Sequence, residues 1–328
     1  MTEIDSQLVR WWEWYSQPLS FSRANQEWTW IQRIANETNS STPVISVQVH
    51  SDQQAVAGYC VMAAGALAIH GSITRRLVSN LSKVSDIQIY TQGGDLMTLC
   101  LESLITESFQ QGAELFQSLV QIQSDHSDTL CESQACCSQA GMSYLTKLVR
   151  MEMDFPFNRS IQRILFDDRL KIEPFDSIPR ETWIELLERT YQQSSDVPEL
   201  ATMRSTDKAI EGYQANRTPG VNGWFVIRSE GEPAGCLILA RHNYPLGEIS
   251  YLGLAPEFRG KGYSSGIMQF AVDWMSAQKC SKVALAVDCR NEVAMSVYQK
   301  WGFQATISFH AWVASSKTYP PSNRASSS

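Results

Sequence analysis

Apolar residues recur along this chain with two different periods, and the changes between them mark its elements. Over residues 180–193, Trp183, Leu187, Thr190 and Tyr191 fall on one face at helical spacing, which predicts an amphipathic helix. Short apolar runs at 223–228, 234–240 and 248–255 predict strands. Ile267, Ala271, Trp274 and Met275 then form a core stripe for a helix over 264–278. A buried strand is expected over 283–287 and a further helix over 292–301. Asp154-Phe155-Pro156 interrupts the pattern and a strand begins again near 169–174, so a domain boundary is expected between Asp154 and Asp168. Near the start, Trp11, Trp12, Trp14, Tyr15, Trp28 and Trp30 suit two amphipathic turns packed on the first domain. The end from Ser315, with Pro320-Pro321 and a serine run, reads as disordered. Strands alternating with helices make this a mixed α/β protein.

Within that pattern one stretch carries chemistry. In Glu248 to Ser264, EISYLGLAPEFRGKGYS, an apolar strand enters a basic, glycine-rich turn that opens a helix. Such a turn gathers backbone N–H groups and a helix N-terminus at one place, which suits a phosphate or pyrophosphate. A dinucleotide fingerprint would require a third glycine at position 265 after Gly260 and Gly262, and Ser265 stands there. The Gly-Lys-Ser/Thr ending of a triphosphate loop is absent as well.

What remains is Arg259, Gly260, Lys261, Gly262, Tyr263 and Ser264, followed by Asn291, Ala294, Tyr298, Gly302 and Phe303. This arrangement resembles the GNAT superfamily of N-acetyltransferases, whose turn reads Gln/Arg-x-x-Gly-x-Gly/Ala and whose later segment reads Asn-x-x-Ala-x-x-x-Tyr-x-x-x-Gly-Phe. The one departure is Ser264. The resemblance covers 170–313 and implies acetyl-CoA as co-substrate, an amine acceptor and no metal. It implies that backbone N–H groups from Arg259 to Ser264 hold the pyrophosphate, with Arg259 and Lys261 adding charge. The backbone of Leu252, Gly253 and Leu254 would take the pantetheine arm, and Gly253 marks a bulge or a close approach. Tyr298 would be the general acid. Asn291 would bind the arm or cap its helix. Glu248 is the candidate base, acting through water, with Asp288 as its competitor and His242 and His310 as lesser ones. Asp196 and Glu199, in the loop after the first helix, either favour a cationic amine or serve as cap and solvated charge.

Two echoes extend the picture. Gln139-Ala140-Gly141-Met142 resembles Lys300-Trp301-Gly302-Phe303, and Gln92-Gly93-Gly94-Asp95 before an apolar helical pattern resembles the phosphate turn. Offsets of about 161 and about 169 residues fit one unit repeated with small insertions. The expected organisation is therefore two tandem GNAT-like domains, each a mostly antiparallel sheet flanked by helices: residues 1–160 degenerate, 165–315 catalytic and 316–328 a tail. In the first copy Asp95 would repel a pyrophosphate, and Cys137 stands where Tyr298 stands in the second. The layout is similar to that of mycothiol synthase-like enzymes.

Composition agrees with this expectation. A chain of 328 residues with 43% hydrophobic residues can fill two cores. Its net charge of −7 argues against nonspecific nucleic-acid binding. No apolar run approaches membrane-spanning length, and the start MTEIDSQLVRWWEW lacks the regions of a signal peptide; a cytoplasmic protein is expected. The eight cysteines lack Cys-x-x-Cys pairs, and the cluster Cys131, Cys136 and Cys137 near His126 reads as buried thiols rather than a metal site. Tandem domains can mimic a dimer within one chain, so a monomer or homodimer is expected. An acyl-CoA-binding module without turnover is the alternative function.

Overall fold

A computed structural model describes residues 44–50, 54–63, 66–77, 95–122, 127–154, 169–215, 223–242 and 246–319. The aromatic N-terminal stretch, Gln92-Gly93-Gly94, His126, the side chain of Cys131 and most of the expected boundary segment lie outside them. The elements are β1 (Val44–His50), β2 (Gln54–Ala63), β3 (Leu67–Leu77), α1 (Leu96–Gln110), β4 (Leu115–Gln121), α2 (Ser127–Gln139) and β5 (Ser143–Asp154). There follow β6 (Leu170–Pro174), α3 (Arg180–Tyr191), α4 (Leu200–Met203), α5 (Thr206–Ala215), β7 (Trp224–Ser229), β8 (Glu232–Arg241) and β9 (Leu246–Leu254). The last are α6 (Ser264–Ala277), β10 (Lys282–Asp288), α7 (Glu292–Lys300) and β11 (Gln304–Ser315).

One order of elements occurs twice, as β1-β2-β3-α1-β4-α2-β5 and as β7-β8-β9-α6-β10-α7-β11. The pairings repeat with it. β1, β2 and β3 are antiparallel neighbours and β3 pairs β4 in parallel; β7, β8 and β9 are antiparallel and β9 pairs β10 in parallel. Both helices that precede the final strand stop in the same way. Gly141 at φ 76° and Gly302 at φ 93° follow α2 and α7, a left-handed conformation that glycine adopts without steric cost. Met142 N–H then donates to Cys137 O at 3.0 Å, and Phe303 N–H to Tyr298 O at 3.1 Å.

The chain forms two compact units, Met1–Leu145 with Ala311–Ser328 and Thr146–His310. The division thus falls inside β5 and inside β11. Within the second unit β5 lies antiparallel to β10, from Leu148↔Asp288 to Asp154↔Lys282, so hydrogen bonding rather than sequence proximity assigns that strand.

The first core gathers Cys60, Leu101, Leu104, Ile105 and Phe116. In the second unit, α6 buries Ile267, Met268, Ala271 and Met275 against Leu237, Val283 and Leu285. Helix α3 buries Trp183 and Leu187 against Trp224 and Ile238 in a separate cluster. Each fully buried side chain of this kind contributes about 1.5–3 kcal/mol. Ser315 to Tyr319 is ordered, contrary to the sequence expectation. The Tyr319 ring packs edge-on against Phe109 at 5.6 Å and its hydroxyl donates to Ala140 O at 2.9 Å, which offsets the entropy of fixing a short turn.

Candidate active site

The strand β9 runs through Ala255 and a single 3₁₀ turn, Pro256–Phe258, into the glycine-rich turn. Gly260 and Gly262 have φ of 74° and 82°, and a Cβ on either would meet nothing within 4 Å; the backbone conformation, not crowding, requires glycine there. Tyr263 occupies the N-cap of α6 without a side-chain cap. Its ring is buried and its hydroxyl bonds Ser229 Oγ at 2.8 Å. The N–H groups of Gly260 through Gly266 donate to no described residue, and Ile267 N–H to Tyr263 O is the first helical bond. A run of free donors at the positive end of a helix is an anion site in waiting. Ser264 opens the helix rather than capping it.

Arg259 departs from its expected role. Its guanidinium donates to Leu254 O at 2.9 Å, Gln193 O at 2.8 Å, Thr190 O at 3.0 Å and Gln192 O at 2.8 Å. It therefore closes the C-terminal carbonyls of α3, which otherwise lack donors, and its charge is committed there. Lys261 is exposed, with Nζ 5.0 Å from the centre of the Phe258 ring.

Beside the turn the sheet opens. β9 and β10 pair only from Leu246↔Lys282 to Glu248↔Ala284, yet β9 continues to Leu254 and β10 to Asp288. On its other side β9 stays paired with β8, through Leu252↔Leu237, Gly253↔Cys236 and Leu254↔Gly235. Beyond Glu248, one edge of β9 thus has no strand partner among the described residues, and an extended ligand can add there as a strand would. The bulge falls at Ser250, between the pairs Ile238↔Tyr251 and Leu239↔Ile249, not at Gly253. Gly253 is a close approach instead: a Cβ would lie 2.5 Å from Tyr251 Oη and 2.9 Å from Thr190 Cβ.

Glu248 stands at the last rung before the opening. His242 Nε2 meets its Oε2 at 2.6 Å and Ser250 Oγ donates to its Oε1 at 3.2 Å. Burial pushes its carboxyl up, but the bonds from His242 and Ser250, with the charges of His242 and Arg150, bring it below the usual range. Asp288 is fully buried and saturated with donors: Thr146 Oγ1 at 2.7 Å, Val197 N–H at 3.2 Å, Arg290 N–H at 2.9 Å and the Arg290 guanidinium at 2.6 Å. Burial alone would raise its pKa, and these donors lower it; Asp288 is a structural ion rather than a base. Glu199 is held by both Arg290 amino groups at 2.7 and 3.0 Å, so its charge is paired while its side chain stays exposed.

Tyr298 is half-buried on α7, with its ring 5.9 Å from that of Phe303. Burial first and the charge of Asp196 second raise its pKa, so its proton is firmly held at neutral pH. Asn291 caps α7: its Oδ1 accepts from Ala294 N–H at 3.2 Å and its own N–H donates to Asp288 O at 2.9 Å. Burial lowers the pKa of His310, helped by Lys147. Periodicity gave no sign that Tyr213 and Tyr191 pack around Tyr251, their ring centres 5.9 and 5.7 Å from its own, or that the Tyr251 hydroxyl bonds Thr190 Oγ1 at 2.6 Å; the shared strand face of Tyr251 and Gly253 was the available clue. Among the described residues no His, Cys, Asp and Glu side chains group to hold a metal, and no helix is long and apolar enough to cross a membrane.

The second unit thus combines a split parallel strand pair, a donor-rich helix start and a half-buried tyrosine on the next helix. Residues 180–303, within the second unit, match the Acetyltransferase (GNAT) family. Mycothiol acetyltransferase of Renibacterium salmoninarum is 28% identical over 109 residues, 33% of this chain and 30% of that protein. Spermidine N(1)-acetyltransferase of Escherichia coli (strain K12) is 32% identical over 81 residues, 24% of this chain and 44% of that protein. The matches therefore span less than half the length of these curated relatives. In fold, the chain is similar to a GCN5-related glucosamine N-acetyltransferase region of a fungal multi-domain GH3 beta-N-acetylglucosaminidase. The TM-score is 0.50 at 15% identity, over 81% of this chain and 33% of that one.

Proposed function

We propose that the second unit moves the acetyl group of acetyl-CoA to a primary amine of a small molecule by direct attack on the thioester. The observation that supports this most is the unpaired edge of β9 running straight into free N–H groups at the start of α6. In this reading the backbone N–H groups of Gly260, Lys261, Gly262, Tyr263 and Ser264 hold the pyrophosphate, with Lys261 adding charge, while the Arg259 N–H is spent on Pro256 O at 3.2 Å. Leu252, Gly253 and Leu254 bond the pantetheine arm as a neighbouring strand, and one of their N–H groups stabilises the developing oxyanion. Glu248, ionised at neutral pH, accepts the amine proton through water. The amine nitrogen bonds the carbonyl carbon, the carbon–sulfur bond breaks, and Tyr298 Oη gives its proton to the departing thiolate. Asn291, with its Oδ1 engaged in the cap, offers only its amide NH₂ to the arm.

The first unit is then a decayed second copy, roughly residues 1–160 beside a catalytic 165–315, in a monomer or homodimer working on the cytoplasmic acetyl-CoA pool. A second reading, an acyl-CoA-binding module without turnover, draws on one observation: Glu248 is held below the usual carboxylate range, which weakens it as a base. Calorimetry with acetyl-CoA, followed by thiol release against a panel of amines, separates the two. Binding with release supports the enzyme, binding without release supports the module, and no binding overturns both.

A further inference from the structure

The carboxylate read as the base does not stand alone. Glu248 pairs with Ala240 of β8 on one side and with Ala284 of β10 on the other, so both neighbours across the strands are small and its half-buried side chain is not covered from either strand. Its two oxygens have different partners. Ser250, at the bulge where β9 leaves β10, donates from Oγ to Oε1 at 3.2 Å, and His242 Nε2 meets Oε2 at 2.6 Å. His242 N–H in turn donates to Leu246 O at 3.0 Å, which sets the imidazole on the paired side of Glu248, away from the opening. Ser250, Glu248 and His242 therefore form one hydrogen-bonded row that starts where the sheet splits and leads out of it. The outer end is wet: 14% of the His242 side chain is exposed, and its Nδ1 bonds no described residue.

The row answers a weakness of the base. Burial pushes the Glu248 carboxyl up, but the bonds from His242 and Ser250 bring it below the usual range, and so acid a carboxyl is a poor resting place for a proton taken from an amine. That proton has to move on. Arg150, whose charge also reaches Glu248, is bonded to Glu152 at 2.7 Å and cannot give up a proton to become an acceptor. An imidazole in direct contact can take one.

We propose that His242 is a proton-relay residue, taking from Glu248 the proton that the amine gives up and passing it to solvent. The inference rests on the acetyl-transfer reading. The amine nitrogen loses a proton to the bridging water as that water gives one to the Glu248 carboxylate. A half-turn of the carboxyl about its soft, two-fold terminal torsion brings the proton to Nε2, with the imidazole carrying its own proton on Nδ1. Nε2 gains the proton, the carboxylate is restored, and Nδ1 releases its proton to water. Exchange with solvent returns the first tautomer before the next turnover.

The rival role, in which His242 only orients Glu248, needs a donor and no proton transfer, and the test separates the two. The full chain is assayed for thiol release from acetyl-CoA with benzylamine, ethanolamine and butylamine as probes. His242→Ala and His242→Gln should each lower kcat by about 10²-fold, with KM for the amine and the calorimetric affinity for acetyl-CoA little changed, which shows that both variants fold. Added imidazole should restore turnover of His242→Ala saturably and do nothing for Glu248→Gln. Glutamine keeps a donor for Glu248 but takes no proton, so a fully active His242→Gln beside a slow His242→Ala marks an orienting residue and overturns the relay. Wild-type kcat in both variants, or no rescue by imidazole, overturns it as well and leaves acetyl transfer standing. A wild-type chain that binds acetyl-CoA yet releases no thiol with any probe favours the module without turnover, and the relay falls together with the transfer reading.

Discussion

Helices α1 and α6 occupy the same place in the two repeats, each following the third strand of its copy, and their first turns are opposites. Asp95 caps α1: its carboxylate accepts from Met97 N–H at 3.4 Å, Thr98 N–H at 3.3 Å and Thr98 Oγ1 at 3.1 Å. At α6 the cap residue Tyr263 turns its side chain into the core and offers the helix nothing. One helix consumes its own donors for stability; the other leaves them without an acceptor among the described residues. The same contrast holds at the far end of the site. Cys137 and Tyr298 present equivalent carbonyls to Met142 and Phe303, yet the Cys137 thiol is buried and pushed up to about 12 by burial, then by Cys136, with Ser118 opposing. A repeated backbone frame thus has its polar groups spent in one copy and unspent in the other.

The sharpest way to break this comparison is at the tyrosine. Tyr298→Phe should slow acetyl transfer by roughly 10²- to 10⁴-fold while acetyl-CoA affinity stays nearly constant, whereas Cys137→Ala should leave turnover unchanged. Full turnover of Tyr298→Phe at saturating amine would remove the distinction between the copies.

Next in size is the buried ion. β10 ends on buried Asp288 and β4 on exposed Gln121, so only the second repeat stakes stability on a charge there. Arg290→Ala should cost about 3 kcal/mol in denaturant unfolding at neutral pH. Because the folded pKa of Asp288 lies below its unfolded value, this contribution is fully present above the usual carboxylate value. It is lost as pH falls through the lower folded value, so wild type and variant should converge in acid. Equal sensitivity at every pH would show that the pair carries no such role.

A smaller effect is expected at the turn. Gly262→Ala meets no neighbour but strains a positive φ by about 1–2 kcal/mol, and calorimetry should show acetyl-CoA binding weakened about tenfold. Smallest is Asp95→Ala, which should lower stability by about 1 kcal/mol with acetyl-CoA affinity untouched. A gain in cofactor binding from that change would mean that the first copy is less decayed than its cap suggests.

The elements of the second repeat were legible to within a few residues because their burial periods are strong, and Asp95 and Gly141 made the first repeat visible because caps leave local signatures. Partnerships across long sequence distances were not legible. Arg259 looked like a phosphate ligand because it adjoins the turn, but the carbonyls it closes lie 66 to 69 residues earlier. The pairing of Glu199 with Arg290 was hidden because the two stand 91 residues apart. Glycine marks either a bulge or a close approach, and Gly253 proves the second, whereas register alone places the bulge at Ser250. Helix α5 escaped notice, since Ala209 and Ile210 are its only fully buried side chains among those described.

Arg259 fastens the end of α3 to the end of β9 with one rigid, planar group. The glycine-rich turn and the loop that carries Asp196 consequently share a rivet, and neither can drift without pulling on the other.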